Sequence, residues 1–222
     1  MKENLVILYT KLPKIGKSKT RIAKESNDYF AQMVSTCNII DTLKKVSHSK
    51  DYDFMAVVDD KEDAEFFEEK FELKTFVLDN KGDQSQRFDF LFNLFKKSYK
   101  KVLLIPSDVP SLVEDDLFLA FKLLEQKKCV LGPEYNGGVY LIGVSDTPAK
   151  LFDNVRWSTE YTLIDLIKNR NGGCLLELKG DLNTIKDLMI FHHAIQKNCP
   201  YLYAFLMESQ FYKPIGATYA ND

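Results

Sequence analysis

The sequence predicts an α/β fold, with a mostly parallel sheet covered by helices on both faces. Three observations carry this expectation. Seven short apolar runs of strand length are separated by longer stretches with helical spacing. The runs are apolar throughout rather than alternating, as in a parallel sheet buried on both sides. Strand–helix alternation implies right-handed βαβ units in one doubly wound sheet. No linker, internal repeat or low-complexity segment divides the 222 residues, so a single domain over 1–222 is expected. A domain of this size buries roughly 70% of its unfolded surface.

The elements follow in order. "LVILY" (5–9) is the first strand, and "TKLPKIGKSKTRIAKE" (10–25) is a basic loop leading into a helix. In "YFAQMVSTCNIIDTLKKV", Phe30, Met33, Val34, Cys37, Ile40 and Leu43 recur at helical spacing. Strands at 54–58, 75–78 and 102–105 alternate with helices at 61–71, 85–98 and 114–127. "CVLG" (129–132) and "GVYLIGV" (138–144) are two further strands, followed by a helix at 159–170 and a strand at 174–178. Thr184 is placed to cap a final helix. The segment from Asn198 onward, aromatic and without clear periodicity, reads as irregular. The extension 189–222 is expected to pack on the body or on a second copy of the chain, which in the latter case makes a homodimer.

With 45% hydrophobic and 28% charged residues the composition is that of an ordinary globular protein. A net charge of -2 and a pI near 6.0 supply no basic field for nucleic acid. The amino-terminal apolar run is too short for a signal peptide, and no run approaches the roughly 18 residues of a membrane span. Cys37, Cys129, Cys174 and Cys199 are far apart, with no C-x-x-C, and read as buried small hydrophobes. These features point to the cytoplasm.

In such sheets ligands bind at the carboxyl ends of the strands, which directs attention to the loops. The loop after the first strand carries Lys11, Lys19 and Arg21, with Gly16 permitting close backbone approach before a helix N-terminus. That combination suits a phosphate or diphosphate, although the Walker A spacing is absent. In "KGDQSQRF" (81–88), Asp83 is a natural helix cap, while Arg87 opposes the dipole in the first turn and so hints at an anionic partner. In "IPSDVPSL" (105–112), Asp108 lies between two prolines that stiffen the backbone. Glu114, Asp115 and Asp116 are available to cap the next helix, leaving Asp108 for an oxygen-loving cation such as Mg²⁺. In "GPEYNGGVYLIG", Gly137 and Gly138 suit either a hairpin turn of the Asn-Gly type or a backbone bordering a ligand. Trp157 is a core anchor or a stacking surface, and Ser158 or Thr159 suits a helix cap. In "GDLNTIKDL", Asp181, Asn183 and Asp187 are oxygen donors.

Taken together and in order, "YTKLPKIGKSKTRI", "GDQSQR", "PSDVPSL", "GPEYNGGVYLIG", "FDNVRWST" and "DLNTIKDL" resemble a bacterial family of GT-A (nucleotide-diphospho-sugar transferase) fold, that of the radical-SAM/selenodomain-associated transferases and arsenosugar-biosynthesis glycosyltransferases. More distant likenesses run to 2-phospho-lactate guanylyltransferase and the molybdenum-cofactor nucleotidyltransferases. The six matches span residues 5–188. The resemblance implies a single-domain Rossmann-like GT-A fold and a metal-dependent glycosyltransferase using a nucleotide-diphospho-sugar donor and a small-molecule acceptor. It implies Asp108 and Asn183 as ligands of Mg²⁺ or Mn²⁺, and Lys11, Gly16, Lys19, Arg21, Asp83 and Arg87 at the nucleotide and its phosphates. Gly137, Gly138, Trp157, Ser158 and Thr159 would border the sugar or acceptor.

Three positions depart from the family pattern: Pro106 for a glycine, Asn136 for the aspartate of Asp-Gly-Gly, and Asn183 for the second aspartate of Asp-x-Asp-Thr. Ser85 and Gln86 also replace a glycine and an acid. An amide oxygen at 183 can ligate Mg²⁺, whereas an amide at 136 cannot accept a proton near pH 7. Two alternatives therefore stand beside glycosyl transfer. One is a nucleotidyltransferase joining an NTP to a phosphorylated small molecule; the other is a nucleotide-binding protein without catalysis.

Overall fold

In the computed structural model, residues 2–79, 82–147, 150–170 and 172–212 are described. Seven strands form one sheet in the order β3-β2-β1-β4-β6-β5-β7. They are β1 (Lys2–Tyr9), β2 (Asp53–Val58), β3 (Thr75–Val77), β4 (Tyr99–Ile105), β5 (Cys129–Pro133), β6 (Val139–Val144) and β7 (Gly173–Leu175). All seven expected strands are present. Among them only β6 is reversed, pairing antiparallel with both β4 and β5.

The uninterrupted apolar runs have a direct consequence in the packing. Leu5, Val6, Ile7 and Leu8 are all fully buried, and successive side chains serve opposite faces. Val6 and Leu8 join a core under α2 (Asp28–Val46), α3 (Lys61–Phe71) and α5 (Glu114–Leu123), with Ile39, Leu43, Phe67, Leu117 and Phe121. Leu5 and Ile7 join the core on the other face, under α4 (Gln84–Phe95) and α6 (Thr162–Asn169), with Phe88, Leu91, Phe92 and Leu166.

A third cluster lies off the sheet. It joins Ile22 of α1 (Thr20–Glu25) and Ala31, Val34 and Cys37 of α2 to α7 (Ile185–Ile190), α8 (His192–Asn198) and α9 (Pro200–Glu208), through Leu188, Ile195, Leu202 and Leu206. Here the sequence-based expectation needs correction, because the carboxyl-terminal stretch is helical over Pro200–Glu208. Pro200 starts the helix, and the Asp41 carboxylate on α2 accepts the N–H groups of Tyr201 (3.0 Å) and Leu202 (2.9 Å). The cap comes from 160 residues upstream, so local sequence does not betray it. The extension's last residues, 213–222, lie outside the described residues.

From β1 the chain builds outward through β2 and β3, then returns to add β4 on the opposite side of β1. The order therefore reverses between β1 and β4, where open α/β sheets form their ligand crevice. No described helix is long and apolar enough to cross a membrane. Cys37, Cys129 and Cys199 are buried, Cys174 is half-buried, and all four are free thiols.

Candidate functional site

The crevice at the β1/β4 switch is a cleft of about 540 Å³, with Tyr9, Arg21, Pro106, Glu134, Asn136, Gly138, Trp157, Asp181 and Asn183 among the residues that line it.

The loop after β1 is fastened at both ends. The Leu12 amide donates to Asp63 (2.8 Å), and Lys14 reaches Glu62 (2.7 Å) and Asp63 (3.2 Å) at the head of α3. Asp60, Glu62 and Asp63 gather their oxygens within 4.8 Å, but Asp60 caps α3 and Lys14 answers the charge of the other two. That acidic group is therefore a helix-capping and anchoring device. Gly16 takes φ 74°, and the loop ends at Lys19, the N-cap of α1, with φ 44° and ψ 50°.

This left-handed turn carries the Lys19 ammonium inward. It sits 2.5 Å from the Asp108 carboxylate and 2.6 Å from the Leu182 carbonyl. Arg21, two residues further on, is exposed and lines the cleft, and Lys11 is exposed outside it.

The loop after β4 is held through its backbone. Thr42 donates to the Ser107 carbonyl (3.1 Å), Lys45 to that of Pro110 (3.3 Å), and the Leu182 amide to that of Asp108 (2.9 Å). Asp116 accepts the Val113 amide (2.9 Å) at the head of α5, leaving the Asp108 side chain free for Lys19.

Two further acids stand near this pair. Asp181 accepts the Asn136 amide on one oxygen (2.8 Å) and the Asn183 amide on the other (2.5 Å). The two asparagines that depart from the family pattern thus both donate to one carboxylate. Aspartates at 136 and 183 would set three like charges together. Even so, burial and the nearby Asp108 push Asp181 above the usual carboxylate range.

Glu134, at the end of β5, is pushed up to about 8 by burial and by the charges of Asp181 and Asp108. It faces Gly138, where any Cβ would lie 2.3 Å from its Oε2 and 2.9 Å from Asn136 Oδ1. Gly137 takes φ 84° and closes the β5–β6 hairpin, with the Asn136 oxygen accepting the Gly138 amide (2.8 Å).

On the far wall, the Trp157 indole N–H donates to Ser85 (2.8 Å) and packs edge-on to Phe88 at 5.0 Å. Ser158 (φ 60°) and Thr159 line the cleft beside it, and Thr159 Oγ1 accepts the Tyr161 amide (3.2 Å). Asp83 caps α4 with Gln86 in a reciprocal capping box, and Arg87 pairs with Asp59 and lies over the Tyr9 ring. Lys81, at the start of that loop, lies outside the described residues.

The structure thus brings Lys19, Arg21, Asp108, Asn136, Gly137, Gly138, Trp157, Ser158, Thr159 and Asn183 to one crevice or its rim. Lys11, Gly16, Asp83 and Arg87 serve the loops around it. The predicted set lacks Glu134, whose burial among acids has no local signal, and passes over Asp181, which the sequence offers only as one of three oxygen donors.

A reversed β6 inside an otherwise parallel sheet, with its cleft at the β1/β4 switch, defines the nucleotide-diphospho-sugar transferase fold. Solved structures agree. A proposed nucleotide-diphospho-sugar transferase from Desulfovibrio desulfuricans superposes with a TM-score of 0.83 at 23% identity, over 95% of this chain and 96% of that one. The 4-diphosphocytidyl-2C-methyl-D-erythritol synthase of Anaerococcus prevotii gives 0.56 at 11% identity, over 88% and 97%. A cytidylyltransferase from Leptospira borgpetersenii gives 0.54 at 13%, over 99% and 98%. Residues 42–159 match the family DUF2064, "uncharacterized protein conserved in bacteria", and the chain belongs to that family. No curated protein matches the sequence.

Proposed function

We propose that this protein is a transferase that binds a nucleotide-diphospho-sugar in the β1/β4 crevice and passes its glycosyl group to a small-molecule acceptor. The supporting observation is that cations and oxygen donors gather at one cleft. Arg21 lines it from the head of α1, Asp181 and Asn183 line it from the loop before α7, and Lys19 and Asp108 form an ion pair at its edge. Cations beside a helix start suit the diphosphate and stabilise it as it leaves.

The oxygen donors on the acidic side fit Mg²⁺ or Mn²⁺. The Asn183 amide group turns its NH₂ to Asp181, so its carbonyl oxygen and the Asp108 oxygen not taken by Lys19 would hold such an ion. When bound, the ion would neutralise charge on the diphosphate. The nearness in fold to the Desulfovibrio protein supports glycosyl over nucleotidyl transfer, while the cytidylyltransferases of the same fold support the latter as the second reading.

The test is a thermal-shift titration with UDP- and GDP-sugars, with and without Mn²⁺. Stabilisation that needs the ion and disappears in Asp108→Ala is expected. A protein whose melting is unmoved by any of these nucleotides would overturn the reading.

A further inference from the structure

Glu134 is used by nothing described so far. It lines the cleft at the end of β5, against Gly138 and beside Asn136, whose amide has no proton-accepting power near pH 7. The charged groups facing it are Asp181 from the loop before α7, Asp108 from the loop after β4, and Lys19 from the head of α1. Lys19 is already engaged by Asp108 and the Leu182 carbonyl. Lys179, paired in backbone with Glu134, directs its ammonium to Asp116 (3.1 Å) and the Ser111 carbonyl (3.1 Å). Arg156, near Trp157, is taken by Asp165. Among the described residues that line the cleft, Glu134, Glu160 and Asp181 are acids, Arg21 at the head of α1 is the one cation, and the rest, Asn136, Ser158 and Thr159 among them, are neutral.

On the proposed glycosyl-transfer reading, we propose that Glu134 is the base for a neutral, hydroxyl-bearing acceptor, and that this charge pattern selects against phosphorylated acceptors. The acceptor oxygen forms its bond to the sugar's anomeric carbon, and its proton passes to the Glu134 carboxylate. The bond from that carbon to the diphosphate breaks, and its electron pair leaves with the nucleotide toward Arg21. A phosphorylated acceptor would instead set its dianion against Glu134 and Asp181 without a cation of its own. The carboxylate that the family pattern places at 136 is thereby supplied from 134, because the oxygens of both side chains converge over Gly138.

Water serves as the neutral acceptor in the test, read as release of UDP from UDP-glucose or GDP from GDP-mannose with Mn²⁺. In Glu134→Gln, thermal shifts by the nucleotide-sugars should persist while release falls about 100-fold. Adding Asn136→Asp to that variant should recover at least part of the release. Glycerol should accelerate release in the wild-type protein, and glycerol 3-phosphate should not. Release in Glu134→Gln within about threefold of wild type, no release above the buffer rate in the wild type, or acceleration by glycerol 3-phosphate alone would each overturn the inference. Loss of nucleotide-sugar binding in the wild-type protein would instead count against the glycosyl-transfer reading itself.

Discussion

Lys19 combines a strained backbone with a committed side chain. Its φ of 44° lies in the left-handed region, which costs a non-glycine residue about 1–2 kcal/mol. That conformation aims the ammonium at Asp108 and Leu182, 89 and 163 residues away in sequence. Strain of this kind persists only where surrounding contacts fix it, and it gathers at functional sites. Gly137 shows the converse, a residue type chosen so that strain is absent. At φ 84°, its missing Cβ would lie 2.2 Å from the Glu160 carbonyl oxygen, a backbone atom that cannot swing aside. Gly137→Ala should therefore cost about 2–4 kcal/mol from backbone conformation and overpacking together. Urea titration would read this as a lower midpoint with an unchanged slope; a midpoint equal to wild type would show that the hairpin relaxes freely.

At the scale of elements, the strands were visible because burial on both faces leaves no polar residue to interrupt them, as in Leu5 to Leu8. Helix α3 was visible because its run is amphipathic, and in the structure Asp60 caps it locally. Helix α9 was not, because its cap is tertiary: Asp41 of α2 closes its first turn, and no residue near Pro200 announces it. Asp41 is itself buried, and desolvation raises it above the usual range against the pull of the Leu202 and Tyr201 amides and Lys45. Asp41→Ala should leave the Tyr201 amide and the buried Leu202 amide without acceptors and cost about 1–3 kcal/mol. Loss of amide exchange protection confined first to Pro200–Glu208 is the expected signature. Uniform loss across the sheet would mean instead that α9 melts only with the whole molecule.

For the molecule as a whole, the loops that carry Lys19, Arg21, Asp108, Asn136 and Asn183 converge because each follows a parallel strand of one sheet, whereas the Trp157–Thr159 loop follows the reversed β6. Loop order along the sequence was therefore enough to assemble Lys19, Arg21, Asp108, Asn136 and Asn183. What sequence could not supply was the electrostatic company of each group: Lys19 on Asp108, two asparagines on Asp181, and Glu134 among acids. The same limit hid the third core, in which α7, α8 and α9 cover α1 and the outer side of α2. That core reaches the site through the segment just before α7, which supplies Asp181, the Leu182 carbonyl for Lys19 and Asn183. Ending the chain after Phe191 would delete Ile195, Cys199, Leu202, Leu206 and Tyr212, all buried, and uncover Ala31, Val34, Cys37 and Leu188. At about 1.5–3 kcal/mol for each large apolar side chain, the loss is comparable with the 5–15 kcal/mol of net stability of an ordinary domain. The truncated chain should show no cooperative thermal transition and should bind a dye specific for exposed apolar surface. Cooperative melting within about 5 °C of the full chain would show that the sheet and its two flanking cores stand without the third.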